Sequence, residues 1–164
     1  MAFFLPVFKQ LNAADVRYVV VGGVATILHG YVRATTDIDL IVDLQIDEAE
    51  KAIEALSGEG YKPRIPVQAK EFADDNKRKQ WIETKGMTVF SMFHPEQPGL
   101  SIDLFAQHPI PFDELWERSQ VFDVDGTGIR VCSLDDLIML KQLAGRNKDM
   151  DDIEKLQKIK DHGK

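Results

Sequence analysis

The sequence predicts an α/β (α+β) fold: a mixed, twisted β-sheet flanked by helices, with further helices toward the C-terminus. Three observations carry this prediction. Strand-like apolar runs such as "RYVVVGG", "TDIDLIVDL" and "LSIDLF" alternate with stretches whose apolar residues recur at helical spacing. The 164 residues are 44% hydrophobic and 29% charged, the balance of a soluble chain with a core. That length suits a single unit over 1–164, with its nucleus at 15–105 and a hairpin plus helices at 111–161.

The elements follow in order. "PVFKQLNAADV" reads as a short amphipathic helix, and "RYVVVGG" as a buried strand ending in glycines. "VATILHG" has helical character and closes at Gly30, before the strand "TDIDLIVDL". Asp47 and Glu50 look like a capping box opening "EAEKAIEAL", which Gly58 and Gly60 stop. "AKEFADDNKRKQWIETKG" reads equally as helix or as an extended excursion. "MTVFSMF" and "LSIDLF" are strands joined by the turn-rich "HPEQPG". "PFDELWERS" is a short helix, and "VFDVDGTGIRVC" a hairpin around Asp125-Gly126. Ser133 with Asp136 caps the helix "LDDLIMLKQLA", which ends at Gly145, and Asp149 caps a last helix.

Composition excludes several classes. A net charge of −7 leaves no broad basic surface for coating nucleic acid. The cations of "NKRK" (76–79) read as a solvated helix face. No stretch approaches the roughly 20 apolar residues of a membrane span, and the apolar start "MAFFLPVF" lacks the charged flank of a leader. The single Cys132 fits a reducing, cytoplasmic setting and reads as a buried strand residue. Four histidines show no zinc spacing; His94 and His108 read as loop residues and His29 as the cationic end of a helix. Trp81 and Trp116 read as packing.

The unusual feature is a set of acids inside strands. Asp37 and Asp39 lie two apart in "TDIDLIVD", so they project to one side and repel unless a cation lies between them. Oxygen-only ligands in that pattern suit Mg²⁺ together with substrate phosphates. Asp103 is a third acid among apolar neighbours in "LSIDLF". The Gly22-Gly23 turn opening a helix presents free backbone N–H groups, a natural phosphate cradle. It matches neither GxGxxG nor a P-loop. Lys141 interrupts the apolar face of its helix and therefore either reaches out to water or meets an anion. A DxD phosphatase or glycosyltransferase is disfavoured, because here the apolar run "LIVDL" follows the acids.

Together, the glycine pair, Arg33, "TTDIDLIVD" and the later Asp103 resemble the polymerase-β-like nucleotidyltransferase superfamily over roughly residues 15–105. The form "GGVATILHGYVRATTDIDLIVD", with the later "DLIMLKQLAGRNKD" supplying Asp136, Lys141, Arg146 and Asp149, looks like the branch containing AbiEii-type toxins. The resemblance implies a nucleotidyltransferase fold and Mg²⁺- or Mn²⁺-dependent transfer of NMP from an NTP to an acceptor hydroxyl. The acceptor would be an RNA or tRNA end, a protein or a small molecule, with a toxin or antitoxin as partner. It implies that Asp37 and Asp39 bind both metals, that Asp103 binds one and helps deprotonate the acceptor, and that Gly22 and Gly23 hold the triphosphate. Thr36 and Lys141 fall near the nucleotide; Arg33 reads equally as a phosphate contact or a surface residue. Many members carry Ser where this chain has Gly23, so a catalytically silent nucleotide-binding or antitoxin-type protein is the alternative.

Overall fold

A computed structural model describes residues 2–163 of the chain. A 3-10 turn (Ala2–Phe4) leads into helix α1 (Leu5–Ala13), with Pro6 in the first turn, where its missing N–H goes unneeded. Phe4, Leu5, Val7, Phe8 and Leu11 are buried, so the apolar N-terminal run is core. Strand β1 (Tyr18–Val21) passes directly into helix α2 (Gly22–Leu28), and a loop over 29–36 leads to β2 (Asp37–Val42). Helix α3 (Ile46–Gly58) and the two-residue β3 (Lys62–Pro63) follow. The ambiguous middle is helical: a 3-10 turn at Ala69–Ala73, then α4 (Asp75–Lys85). Asp74 caps α4 by accepting the N–H groups of Asn76 and Lys77. The chain continues through β4 (Val89–His94), β5 (Gln97–Phe105), α5 (Phe112–Arg118), β6 (Gln120–Val124) and β7 (Thr127–Val131). It ends with α6 (Leu134–Ala144) and α7 (Asn147–His162).

The seven strands form one mixed sheet in the order β3-β4-β5-β2-β1-β7-β6. β1 runs antiparallel to β2, and β2 parallel to β5. Interior position explains why all four residues of β1 are buried and why Ile38, Leu40, Ile102 and Leu104 are fully so. Burying each such side chain is worth ~1.5–3 kcal/mol. Helix α2 packs on β1, β2 and α6, while α1 packs on α3 and β7. The β6–β7 hairpin turns at Asp125 and Gly126, both with positive φ, as a two-residue turn of this hand requires.

The structure corrects several local expectations. Helix α3 starts at Ile46 after Gln45, with no side-chain cap, so Asp47 and Glu50 form no capping box. The "HPEQPG" turn shrinks to Pro95 and Glu96. Pro98 and Gly99 lie inside β5, where the register to β4 shifts and a strand proline is tolerated. Arg78 of "NKRK" is buried, donating to the Phe72 carbonyl and pairing with Asp75. His94 ends a strand, whereas His108 does lie in a loop, between β5 and α5, where it bonds the Val42 carbonyl through Nε2. His29 bonds the Cys132 carbonyl through Nε2, and burial lowers its pKa, so it is no cationic helix cap. Asp149 caps α7 from inside it: Arg146 is the residue preceding the helix, and the Asp149 carboxylate accepts the Arg146 N–H from the helix's third position.

Candidate active site

The site grows from the sheet's middle. β2 and β5 run in parallel register, which places Asp39 beside Asp103 and Asp37 beside Ser101. On its other flank Asp39 faces Val21, the last residue of β1. The chain then turns into α2 at Gly22 with φ +68, a conformation that L side chains rarely adopt. A Cβ there would lie 2.1 Å from Asp39 Oδ2. Glycine at 22 is thus what lets the carboxylate lie against the turn. A Cβ at Gly23 would lie 2.8 Å from Thr35 Oγ1, so the space a serine would need is filled by a different hydroxyl.

The acids are electrostatically unbalanced. Asp103 Oδ1 accepts hydroxyl hydrogens from Ser91 at 2.7 Å and Ser101 at 3.2 Å. The Asp39 carboxyl is pushed up from 3.8 to about 6 by burial and then by the charges of Asp103 and Asp37. Arg146 and the Gly23 N–H act weakly in the opposite direction. This donor set fits a hard divalent cation: oxygens only, on carboxylates whose like charges crowd Asp39. It is not closed into a cage. Among the described residues, no three His, Cys, Asp or Glu side chains are placed together to hold a metal ion. The convergence expected of all three acids is therefore partial, with Asp39 and Asp103 paired in register and Asp37 one step along the strand.

A cavity of about 640 Å³ opens over these carboxylates, bounded by Gly22, Gly23, Arg33, Thr36, Lys141 and Arg146 among others. All eight residues singled out for the site by sequence line it. Their pairing differs from the expectation for the cations, however. Lys141 is buried and does meet an anion, but that anion is Asp152 of α7, 2.9 Å away, with Asp149 at 4.0 Å. Arg33 also pairs with Asp152, which ties the loop before β2 to α7. Arg146 grips Asp149 through two guanidinium contacts, at 2.7 and 3.2 Å. Burial lifts the Cys132 thiol to about 12, which removes it as a nucleophile.

Sequence reasoning missed Asp152 and Thr35. A signal for Asp152 was present: residues 149, 152 and 156 share one face of α7, so two acids continue the stripe of the buried Leu156. Thr35 carried no such signal, because its role depends on a loop conformation that brings it against Gly23.

Solved structures share the fold. The lincomycin-bound lincosamide antibiotic adenylyltransferase LnuA superposes with a TM-score of 0.61 at 17% identity, covering 92% of each chain. ANT(2")-Ia in complex with adenylyl-2"-tobramycin gives 0.59 at 13% identity, covering 96% of this chain and 92% of its own. An antigenic nucleotidyltransferase-like protein from Paracoccidioides brasiliensis gives 0.59 at 16% identity, covering 94% and 73%. No curated protein matches the chain by sequence. A family profile described as a nucleotidyltransferase of unknown function (DUF6036) matches residues 4–161, and the chain belongs to that nucleotidyltransferase family.

Proposed function

We propose that this nucleotidyltransferase moves NMP from an NTP to the hydroxyl of an acceptor, releasing pyrophosphate, at the carboxylates of β2 and β5. The observation that carries the reading is the register of Asp39 with Asp103, beside Asp37 and the Gly22 turn, on one cavity wall. Asp37, Asp39 and Asp103 would hold Mg²⁺ or Mn²⁺, which supplies the positive charge that lets a triphosphate approach three acids. Gly22 and Gly23 offer backbone N–H groups to the phosphates, with the Thr35 hydroxyl beside them and Thr36 on the same wall. Asp103 is held at Oδ1 by two serines, which leaves Oδ2 to take the acceptor's proton. Lys141 and Arg33 lie on the same cavity and shape it through Asp152.

The lincomycin and adenylyl-tobramycin complexes support a small-molecule hydroxyl as acceptor ahead of a tRNA end or a protein side chain. The R-x-T-x-DID form of residues 33–39 supports a place near AbiEii-type toxins with an antitoxin partner. One contiguous core from Phe4 to Leu156 supports a single functional unit over 1–164, and the buried thiol supports a cytoplasmic setting. A second reading, a nucleotide binder without turnover, is favoured by one observation: Arg33 and Lys141 are both committed to Asp152.

The test is transfer of label from the four α-³²P NTPs with Mg²⁺ into cell extract. Asp39→Ala and Asp103→Ala are expected to lower incorporation by at least about a thousandfold while the proteins stay folded. Unchanged incorporation in both variants would overturn the assignment. Mg²⁺-dependent nucleotide binding without any transfer would select the second reading.

A further inference from the structure

Resting on the transferase reading above, the cavity's charges can be paired off to ask what kind of acceptor it accommodates. Arg33 and Lys141 share the single carboxylate of Asp152 and Arg146 pairs with Asp149, so each of these cations has a partner and one positive charge is in excess. Three acids remain on the wall, Asp37, Asp39 and Asp103, and these are taken by the cation that accompanies the triphosphate. Beside that excess charge stands Lys148, which lines the cavity and makes no ion pair among the described residues, and the triphosphate claims both. No carboxylate is left over to meet a polycationic acceptor. No row of cations is left to track a polynucleotide, on a chain whose net charge is −7.

What remains is apolar. The same cavity is lined by Val89, Phe105, Pro109, Leu140, Leu143 and Ala144. Leu143 is 67% exposed although it lines the cavity. Met139, on the preceding turn of α6, is exposed too. Val32 and Met150, also exposed, adjoin the lining residues Arg33 and Asp149 in sequence. Among the described residues, four of the seven large exposed apolar side chains thus belong to, or adjoin in sequence, segments that contribute to this cavity. An exposed leucine on a cavity wall that is otherwise apolar on that side marks a surface that a ligand covers.

We infer that the acceptor is an uncharged or weakly charged hydroxyl compound with an apolar face, seated against Leu140 and Leu143. Its hydroxyl is directed at the carboxylates and its apolar side at α6. On transfer, the hydroxyl oxygen forms the new bond to the α-phosphorus, the bond to the bridging oxygen breaks, pyrophosphate leaves, and the hydroxyl proton passes to Asp103. In this respect the site would differ from one built for a polyamine sugar.

The test is calorimetric binding to the full chain saturated with Mg²⁺ and a non-hydrolysable ATP analogue. The titrants are octyl glucoside below its micelle concentration, glucose, tobramycin and total tRNA. Octyl glucoside is expected to bind about tenfold or more tighter than glucose or tobramycin, as expected when apolar burial supplies the affinity. Leu143→Asp is expected to lower octyl glucoside affinity about tenfold and leave analogue affinity within about twofold. Tighter binding of tobramycin or tRNA, no binding of octyl glucoside, or loss of analogue affinity in Leu143→Asp would each overturn the inference. The last outcome would assign the apolar wall to the nucleobase. Absence of Mg²⁺-dependent analogue binding in the wild type is a separate result, which fails the transferase reading itself.

Discussion

Two groups of charges face the same cavity and are balanced in opposite ways. On β2 and β5, Asp37, Asp39 and Asp103 stand together with hydroxyls and backbone N–H groups but no ion-pair partner among the described residues. On α6, α7 and the loop before β2, Lys141, Arg33 and Arg146 each have an ion-pair partner, the first two sharing Asp152 and the third holding Asp149, both carboxylates almost wholly buried. Burial alone does not separate a structural charge from a functional one. The difference lies in whether each charge finds its opposite within the chain. The paired group joins two helices and a loop, and in the unbalanced group burial and the charges of Asp103 and Asp37 raise the proton affinity of Asp39.

That contrast sets the order of mutational effects. The largest loss of stability is expected from Asp152→Ala, which leaves Lys141 buried without its main partner. Removing one member of a buried pair costs about 3–5 kcal/mol, measurable by urea unfolding. A loss below about 1 kcal/mol would show that the network is solvated and not structural.

Next comes Gly22→Ala against Gly86→Ala. The two glycines have similar φ, +68 and +62, but a Cβ at Gly86 meets nothing within 4 Å whereas one at Gly22 strikes Asp39. Gly86→Ala should cost about 1 kcal/mol from backbone strain, and Gly22→Ala about 1–3 kcal/mol more from the collision. Equal costs in urea would remove Gly22 from the account of how Asp39 is placed.

The unbalanced group predicts the opposite sign. The folded chain holds a proton on Asp39 up to about pH 6, whereas the unfolded carboxyl releases it near 3.8. Folding therefore binds protons over that interval, so this group's contribution to stability falls as pH rises from about 4 to 6 and stays lost above it. Asp39→Asn should then stabilise the protein in EDTA at pH 7.5 by about 1–3 kcal/mol and flatten the pH dependence of the melting temperature. A destabilised Asp39→Asn would contradict the imbalance. The smallest effect belongs to an exposed pair: Lys79→Ala removes a 2.9 Å contact to Asp75 on the surface of α4 and should change stability by less than about 0.5 kcal/mol.

How far the sequence discloses each region follows the same division. Strand acids are legible because a period of two makes Asp37 and Asp39 share a side, and because Asp103 interrupts an apolar run. Their register across β2 and β5 is not legible, since parallel pairing joins segments some 60 residues apart without a local signal. Helix acids are harder to read. Asp152 sits in "DMDDIEK", where acids on a solvated face are ordinary, and only its alignment with Leu156 sets it apart. Arg78 was hidden for a similar reason, one buried cation within a run of exposed ones. The start of α3 escaped because Gln45 makes no side-chain cap, so nothing in its chemistry announces the boundary. The extent of β5 escaped because Pro98 and Gly99 read as a turn but occupy a shift in register.

The claim on which the rest depends is that the imbalance on β2 and β5 is met by a divalent cation. It is tested most directly by melting the wild type and Asp39→Asn side by side while Mg²⁺, and separately Mn²⁺, is titrated from zero. Binding at tenfold above Kd adds about 1.4 kcal/mol, so the wild type should rise by about 3–5 °C while Asp39→Asn stays within 1 °C of its start (about 0.3 kcal/mol). An equal rise in both proteins, or none in the wild type, would contradict the account.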